Sequence, residues 1–309
     1  MSYDTEVRRR DIAVRLRWVQ ESGVALPDDL AETVRIWEEE QGKHEASQDV
    51  RPSLGDRVGS IDDPEEVAAL LSGDVDAAPD AMLVYSVGDD VIAWLGNYPD
   101  QATALFQALA KRGARGEALA SRVVSWLSDR ADHSKVLLCI SMLAGSSKTW
   151  CNNYLISSVA RGLRAVAESV SDNGRGDKFW PSWSFVVQIA ASASKPVQTH
   201  ENPLTDSLNS PGGYLAEALL FKLQHEESGG VSRNYRRERL NALAVGDSDF
   251  HFLARTMLAS RLPWLHAIDR EWAADVLIAR MRWDGSEPTG EARGLWQGYL
   301  RAPRLNPSC

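Results

Sequence analysis

QATALFQALAKRGARGEALASRVVSWLSDRA, residues 101–131, decides the fold class. Leu105 and Leu109, then Leu119, Val123, Trp126 and Leu127, recur at steps of three and four, which places each set on one face of a helix with 3.6 residues per turn. Between the two stripes the pattern breaks at Gly113 to Gly116, where glycine suits the end of one helix and the start of the next. The stretch reads as a helical hairpin.

The same scheme recurs on either side. In VRLRWVQESGVALPDDLAETVRIWEEE, residues 14–40, Val14, Leu16, Trp18 and Val19 are followed by Leu30, Val34, Ile36 and Trp37, with a break and restart around Pro27 to Asp29. Further helical runs are SKVLLCISMLAG, NNYLISSVARGLRAVAESV, WSFVVQIAASAS, GGYLAEALLFKLQHE, DFHFLARTMLASRL and REWAADVLIARM. Strand signal is poor: LVYSV, residues 83–87, is the β-branched and aromatic run of note, short and solitary. The expectation is an all-α fold, an irregular α-solenoid or array of helical hairpins without a fixed-period repeat.

Its expected organisation is an N-terminal helical hairpin over 1–42, a flexible loop over 43–63, and a helical array over 64–309. The polar, Gly- and Pro-containing KHEASQDVRPSLGDRVGSIDD marks the loop. Three more loops are expected at SDNGRGDKFWPSW, ASKPVQTHENPLTDSLNSPGG and ESGGVSRNYRR.

Composition narrows the function classes. The 309 residues carry 34 Lys plus Arg against 43 Asp plus Glu, a formal charge of -9, which argues against broad binding to nucleic acid or anionic lipid. No window approaches the roughly 20 apolar residues of a membrane-crossing helix, and MSYDTEVRRRD lacks the apolar segment of a signal peptide, so a cytoplasmic location is expected. Cys139, Cys151 and Cys309 are too scattered for a disulfide framework or a zinc site.

No catalytic constellation stands out. GSSKT, residues 145–149, resembles the end of a phosphate-binding loop, but the required glycines would fall on Met142 and Ser147, and a helical run precedes it. His44, His133, His200, His225, His251 and His266 form no HExxH and no convincing ligand set. The pairs Asp28 with Asp29 and Asp89 with Asp90 are read as caps at helix starts. Of the 11 tryptophans, Trp18, Trp37, Trp94, Trp126 and Trp272 fall on apolar stripes as core fillers. No catalytic, cofactor-binding or metal-binding residue is assigned, and no cofactor is expected.

Two features remain as candidate partner or nucleic-acid contacts. SRNYRRERL spreads Arg233, Arg236, Arg237 and Arg239 around a helix with Tyr235 among them, a pattern able to meet phosphates or an acidic surface. The bland reading is a solvated helix paired with neighbouring carboxylates. Trp180 and Trp183, in the FWPSW loop, are the second candidate. In NSPGGYLAEALLFKL, Asn209 or Ser210 is a natural N-cap and Pro211 suits the first turn, while Gly212 and Gly213 allow close approach of a neighbour. A helix start is favoured there over a ligand cradle, because no basic residue lies between Asn202 and Phe221.

Residues 202–305 carry a resemblance. NPLTDSLNSPGGYLAEALL is similar to a block with the pattern DPLTxALNxPxGxLAEALL. The second block, ARTMLASRLPWLHAIDREWAADVLIARMRWDGSEPTGEARGLWQGYLRAPRL, contains Asp269 and Trp272 in an Ile-Asp-x-x-Trp element and Trp296 in Trp-x-Gly-Tyr-Leu, with Pro303 and Arg304 closing it. The set resembles the helical C-terminal region of large prokaryotic anti-phage proteins whose N-terminal part is a sirtuin-like, NAD-hydrolysing domain.

That resemblance implies a non-catalytic sensor, scaffold or regulatory module, partnered by a sirtuin-like effector in the same longer chain or in a separate one, with a phage protein as a possible trigger. NAD hydrolysis carries over to no residue, since the glycine loop and the Asn and His of a sirtuin do not occur. The chain also stops where a full-length relative would continue, which suggests a piece of a longer protein. The alternatives are an unrelated helical protein-binding scaffold and a nucleic-acid-binding helical array.

Overall fold

The computed structural model describes residues 58–73, 81–146, 152–169, 176–226, 232–283 and 289–301, together with Leu16, Pro27, Asp28, 30–32, 34–36 and Gly285. Two compact units divide the chain at Asp56 and Arg57. In the first, the amides of Leu30 and Ala31 donate to the Pro27 carbonyl at 3.0 and 2.9 Å, the start of a helical turn on which Val34 is buried. The helix restart anticipated at Pro27 is therefore present. The rest of the N-terminal hairpin, most of the 43–63 loop, Cys151, Cys309, Pro303 and Arg304 lie outside the described residues.

The second unit is all-α. Its helices are α1 (Pro64–Ser72), α2 (Ala81–Asn97), α3 (Ala102–Ala110), α4 (Gly113–Asp129), α5 (His133–Ala144), α6 (Asn153–Glu168), α7 (Gly176–Ala193), α8 (Pro203–Leu208), α9 (Pro211–Glu226), α10 (Arg233–Ala244), α11 (Asp249–Ala259), α12 (Leu262–Ile268) and α13 (Gly290–Arg301). Between α12 and α13 the chain winds through Arg270–Trp272, a π-helical turn at Ala273–Leu277 and a 3-10 turn at Ile278–Met281. Among the described residues the extended structure is a single antiparallel bridge, Pro196 with Ser248.

Local chemistry explains the boundaries. Asp63, Asp132, Asn152, Asn202 and Ser232 each accept a backbone amide at the start of their helix, satisfying a donor that the first turn leaves open. The hairpin at 101–131 forms as expected, with α3 packed on α4. α4 is the hub of the first half, contacting α2, α3, α5 and α6, and it buries Leu119, Val123, Val124 and Leu127 completely or nearly so.

α11 is the hub of the second half. Every residue from Phe252 to Ala259 is buried, so this helix is enclosed by α8, α9, α10 and α13 rather than amphipathic. Two neighbours reach it through glycine: a Cβ on Gly212 of α9 would strike the Phe250 carbonyl, and one on Gly298 of α13 would strike the Thr256 carbonyl. α6 and α9 join the halves, and Arg164 pairs with Glu217 across them at 2.8 Å.

Several local expectations are corrected. LVYSV lies inside α2 and is helical, part of a helix 17 residues long that buries Val87, Val91, Trp94 and Leu95. Asp89 and Asp90 stand in the middle of that helix, not at its start, so neither is a cap. Asp89 instead accepts from Arg122 of α4 at 3.1 Å. FWPSW is not a loop: α7 begins at Gly176 and runs through Pro181, its sixth residue, where the burial of Phe179 and Trp183 holds the helix against the proline. Likewise the expected 193–213 loop contains α8.

Candidate partner-binding surface

Asp269 organises the C-terminal end of the molecule. Its carboxylate accepts the Trp272 amide at 3.3 Å, and so starts the stretch leading to the π-helical turn. It also accepts from Arg237 Nε at 2.5 Å and Nη2 at 2.8 Å and from Arg233 Nη2 at 2.8 Å, while Glu271 takes a further bond from each arginine. The hydrogen bond from Arg237 is the foremost reason the Asp269 pKa lies far below the usual carboxylate range, with burial opposing it. Trp272 is held in turn by a 2.8 Å bond from its indole NH to Asn241 Oδ1.

The expected basic contact face is thus largely spent within the fold. Arg233 and Arg237 pair with Asp269 and Glu271, and Arg239 lies over Tyr235 at 3.4 Å and over Trp180 at 4.5 Å. Arg236 is half-buried. Trp183, expected on a loop surface, is 1% exposed in α7, and its indole NH donates to the Leu215 carbonyl at 3.1 Å. It is a core residue. Trp180 beside it meets Phe179, Trp183 and Tyr235 edge-on.

The glycine pair has a packing role. Ser210 Oγ accepts the Gly213 amide at 3.0 Å, which makes Ser210 the cap and Pro211 the first residue of α9, while Asn209 Nδ2 donates back to the Thr205 carbonyl at 2.9 Å. A Cβ on Gly213 would strike the Ser207 carbonyl. A polar cleft of about 340 Å³ does open beside Asn209, Ser210, Pro211 and Gly212, near Lys195 and Asp249. Next to it His200 bridges two acids, Nδ1 to Asp206 at 2.8 Å and Nε2 to Asp249 at 2.6 Å, and stacks on Phe252.

Elsewhere the histidine and cysteine side chains offer little chemistry. Burial pushes the Cys139 thiol up to about 12, so it carries no thiolate near neutrality. Among the described residues no three His, Cys, Asp or Glu side chains gather as a metal-ligand set.

The feature that sequence reasoning did not find is an apolar groove of about 730 Å³ at this same end. α12 supplies Leu262, Pro263 and His266 to one side of it, and α13 supplies Trp296 and Tyr299 to the other. Ile278 and Met281 of the 3-10 turn join them, followed by Arg282 and Trp283. The aromatic wall is fixed: Trp296 donates its indole NH to the Met281 carbonyl at 2.9 Å and stands edge-on to Trp283 at 6.0 Å and to Tyr299 at 5.8 Å. Trp283 nonetheless keeps 45% of its surface exposed. A large side chain held in place yet open to water is the pattern of a binding anchor. Trp296 was visible in the Trp-x-Gly-Tyr-Leu element, but the groove needs α12 folded against α13, which no local pattern announces.

No family model, curated protein or solved structure matches the chain.

Proposed function

We propose that this chain is a non-catalytic helical sensor, scaffold or regulatory module of a sirtuin-type, NAD-depleting anti-phage system, acting in the cytoplasm through protein contacts. The resemblance over 202–305 is the source of the effector assignment. The observation that carries the partner-binding part is the groove beside Trp283, which lies inside that same stretch.

The described residues of the motif set serve as its frame. Asp269 and Trp272 anchor the approach to the π-helical turn, Trp296 ties α13 to Met281, and Gly298 lets α13 close on α11. A frame that holds an aromatic groove open while engaging its own polar groups suits recognition better than bond chemistry. The nucleic-acid alternative is weakened on the same ground, since Arg233 and Arg237 already face carboxylates.

The experiment is to supply the purified chain to a sirtuin-like NAD-hydrolysing protein from its own cells and follow NAD. A change in the effector's turnover, with no turnover by the chain alone, supports the reading. NAD consumption or nucleic-acid cleavage by the chain alone contradicts it.

A further inference from the structure

We infer that the Trp283 groove receives a protein segment with apolar side chains on one face and carboxylates flanking them. This deepens the reading just proposed, and rests on it, by giving the chemistry of the partner.

The argument is one of complementarity. The groove is lined by aliphatic and aromatic side chains, and its basic lining residues are Arg282 and His266, with no carboxylate among the described lining residues. On a chain with nine more acidic than basic residues, an apolar surface whose charged lining, among the described residues, is basic selects for opposite charge in what it meets. Arg282 is exposed, and neither its side chain nor that of His266 has a hydrogen bond or ion pair among the described residues. Their donors remain available to an incoming carboxylate. Arginines 233 and 237, a short distance along the same end of the sequence, show the contrast: their carboxylates are supplied by the fold itself.

The apolar part of the occupant follows from the wall. Trp283, Trp296 and Tyr299 meet edge to face, and Trp296 is tied to Met281, so the aromatic surface is built before anything binds and little ordering is left for the encounter. A volume of about 730 Å³ takes several aliphatic or aromatic side chains. The basic lining groups are an exposed guanidinium and a half-buried imidazole rather than groups deep within, which favours a segment lying along the groove over an enclosed small molecule. An amphipathic helix laid into an apolar groove is a familiar mode of this kind.

The test uses the full chain and two fluorescein-labelled peptides that share Leu and Phe on one helical face, one with Glu at every other position and one with Lys. Fluorescence anisotropy at low salt is expected to show the Glu peptide binding about tenfold more tightly than the Lys peptide. Arg282→Glu should reverse that order, and Trp283→Ala should weaken both by about tenfold or more. Circular dichroism should be unchanged in both variants, the melting transition should be unchanged in Arg282→Glu, and Trp283→Ala should lower it only slightly through loss of the edge-on contact with Trp296. Equal binding of the two peptides, binding of neither, or indifference to Trp283→Ala overturns the inference. So does a dimeric chain that becomes monomeric on Trp283→Ala, which would assign the groove to a second copy. A chain that alters a sirtuin-like effector while failing the peptide test loses this inference alone. A chain that prefers the Glu peptide but ignores the effector loses the effector assignment alone.

Discussion

Arg237 lays its guanidinium fork along the Asp269 carboxylate, Nε to Oδ2 at 2.5 Å and Nη2 to Oδ1 at 2.8 Å, and thereby fastens α10 to the turn that precedes the groove. Asp269 is almost fully buried and also caps Trp272. Replacing it with Ala removes the cap, worth about 1 kcal/mol, and leaves Arg237 and Arg233 facing each other beside Glu271 alone. Asp269→Ala is expected to lower the urea midpoint measurably without changing the slope. An unchanged midpoint would mean the pairing is incidental.

The same residue sets an acid dependence. The folded-state pKa of Asp269 is depressed, so its contribution to stability is complete above the ordinary Asp range near 4 and is lost as pH falls through the lower folded value. Wild-type protein should lose more stability than Asp269→Asn between pH 5 and the acid limit of folding, measured by urea unfolding at each pH.

His200 works in the opposite direction. Burial alone would lower its pKa, but the hydrogen bonds to Asp249 and Asp206 outweigh that, and the net shift is upward. A raised folded pKa means stability fully present below the ordinary His value near 6.5 and lost as pH climbs through the higher folded value. Thermal unfolding of wild type should therefore show a loss of stability as pH rises from the ordinary His value near 6.5 that His200→Gln lacks. The groups facing the ring are Asp206 on α8, Asp249 and Phe252 on α11.

Trp183 separates a core role from a surface one. Trp183→Ala removes a fully enclosed indole and its bond to Leu215, and a cost of about 3–5 kcal/mol is expected from denaturant unfolding, the usual range for such a deletion. A side chain serving only an external contact would leave the midpoint where it was.

Gly298 tests the close approach of α13 to α11. An added methyl would strike the Thr256 carbonyl, so Gly298→Ala should destabilise by about 1–3 kcal/mol. Gly96 on α2 has open space where its Cβ would go, and Gly96→Ala should be neutral or slightly stabilising through helix propensity.

The all-α fold and the hairpin at 101–131 were legible because burial on one helical face imposes a period of 3.6, and the cap at Ser210, one of the two residues read there, carries its own polar signature. Legibility failed where tertiary burial overrode local preference. LVYSV looks strand-like, yet α2 takes it up, and Pro181 reads as a breaker although it sits near the start of α7, where Phe179 and Trp183 gain full burial. α11 gave a helical period but no hint of being enclosed on all sides. For the surface, Arg233 and Arg237 were correctly placed on a helix, but the partner that neutralises them, Asp269, lies more than 30 residues away. The groove was hidden for the same reason, since its walls come from three separated stretches of chain.

The most direct test of the account is to capture the native polypeptide containing residues 209–223 from its own cells, and to measure both its intact mass and the proteins bound to it. The account predicts a sirtuin-like NAD-hydrolysing domain, either within the captured chain, whose mass then exceeds 34.1 kDa, or as a separate bound polypeptide. A chain of 34.1 kDa with no such domain attached or associated would contradict it.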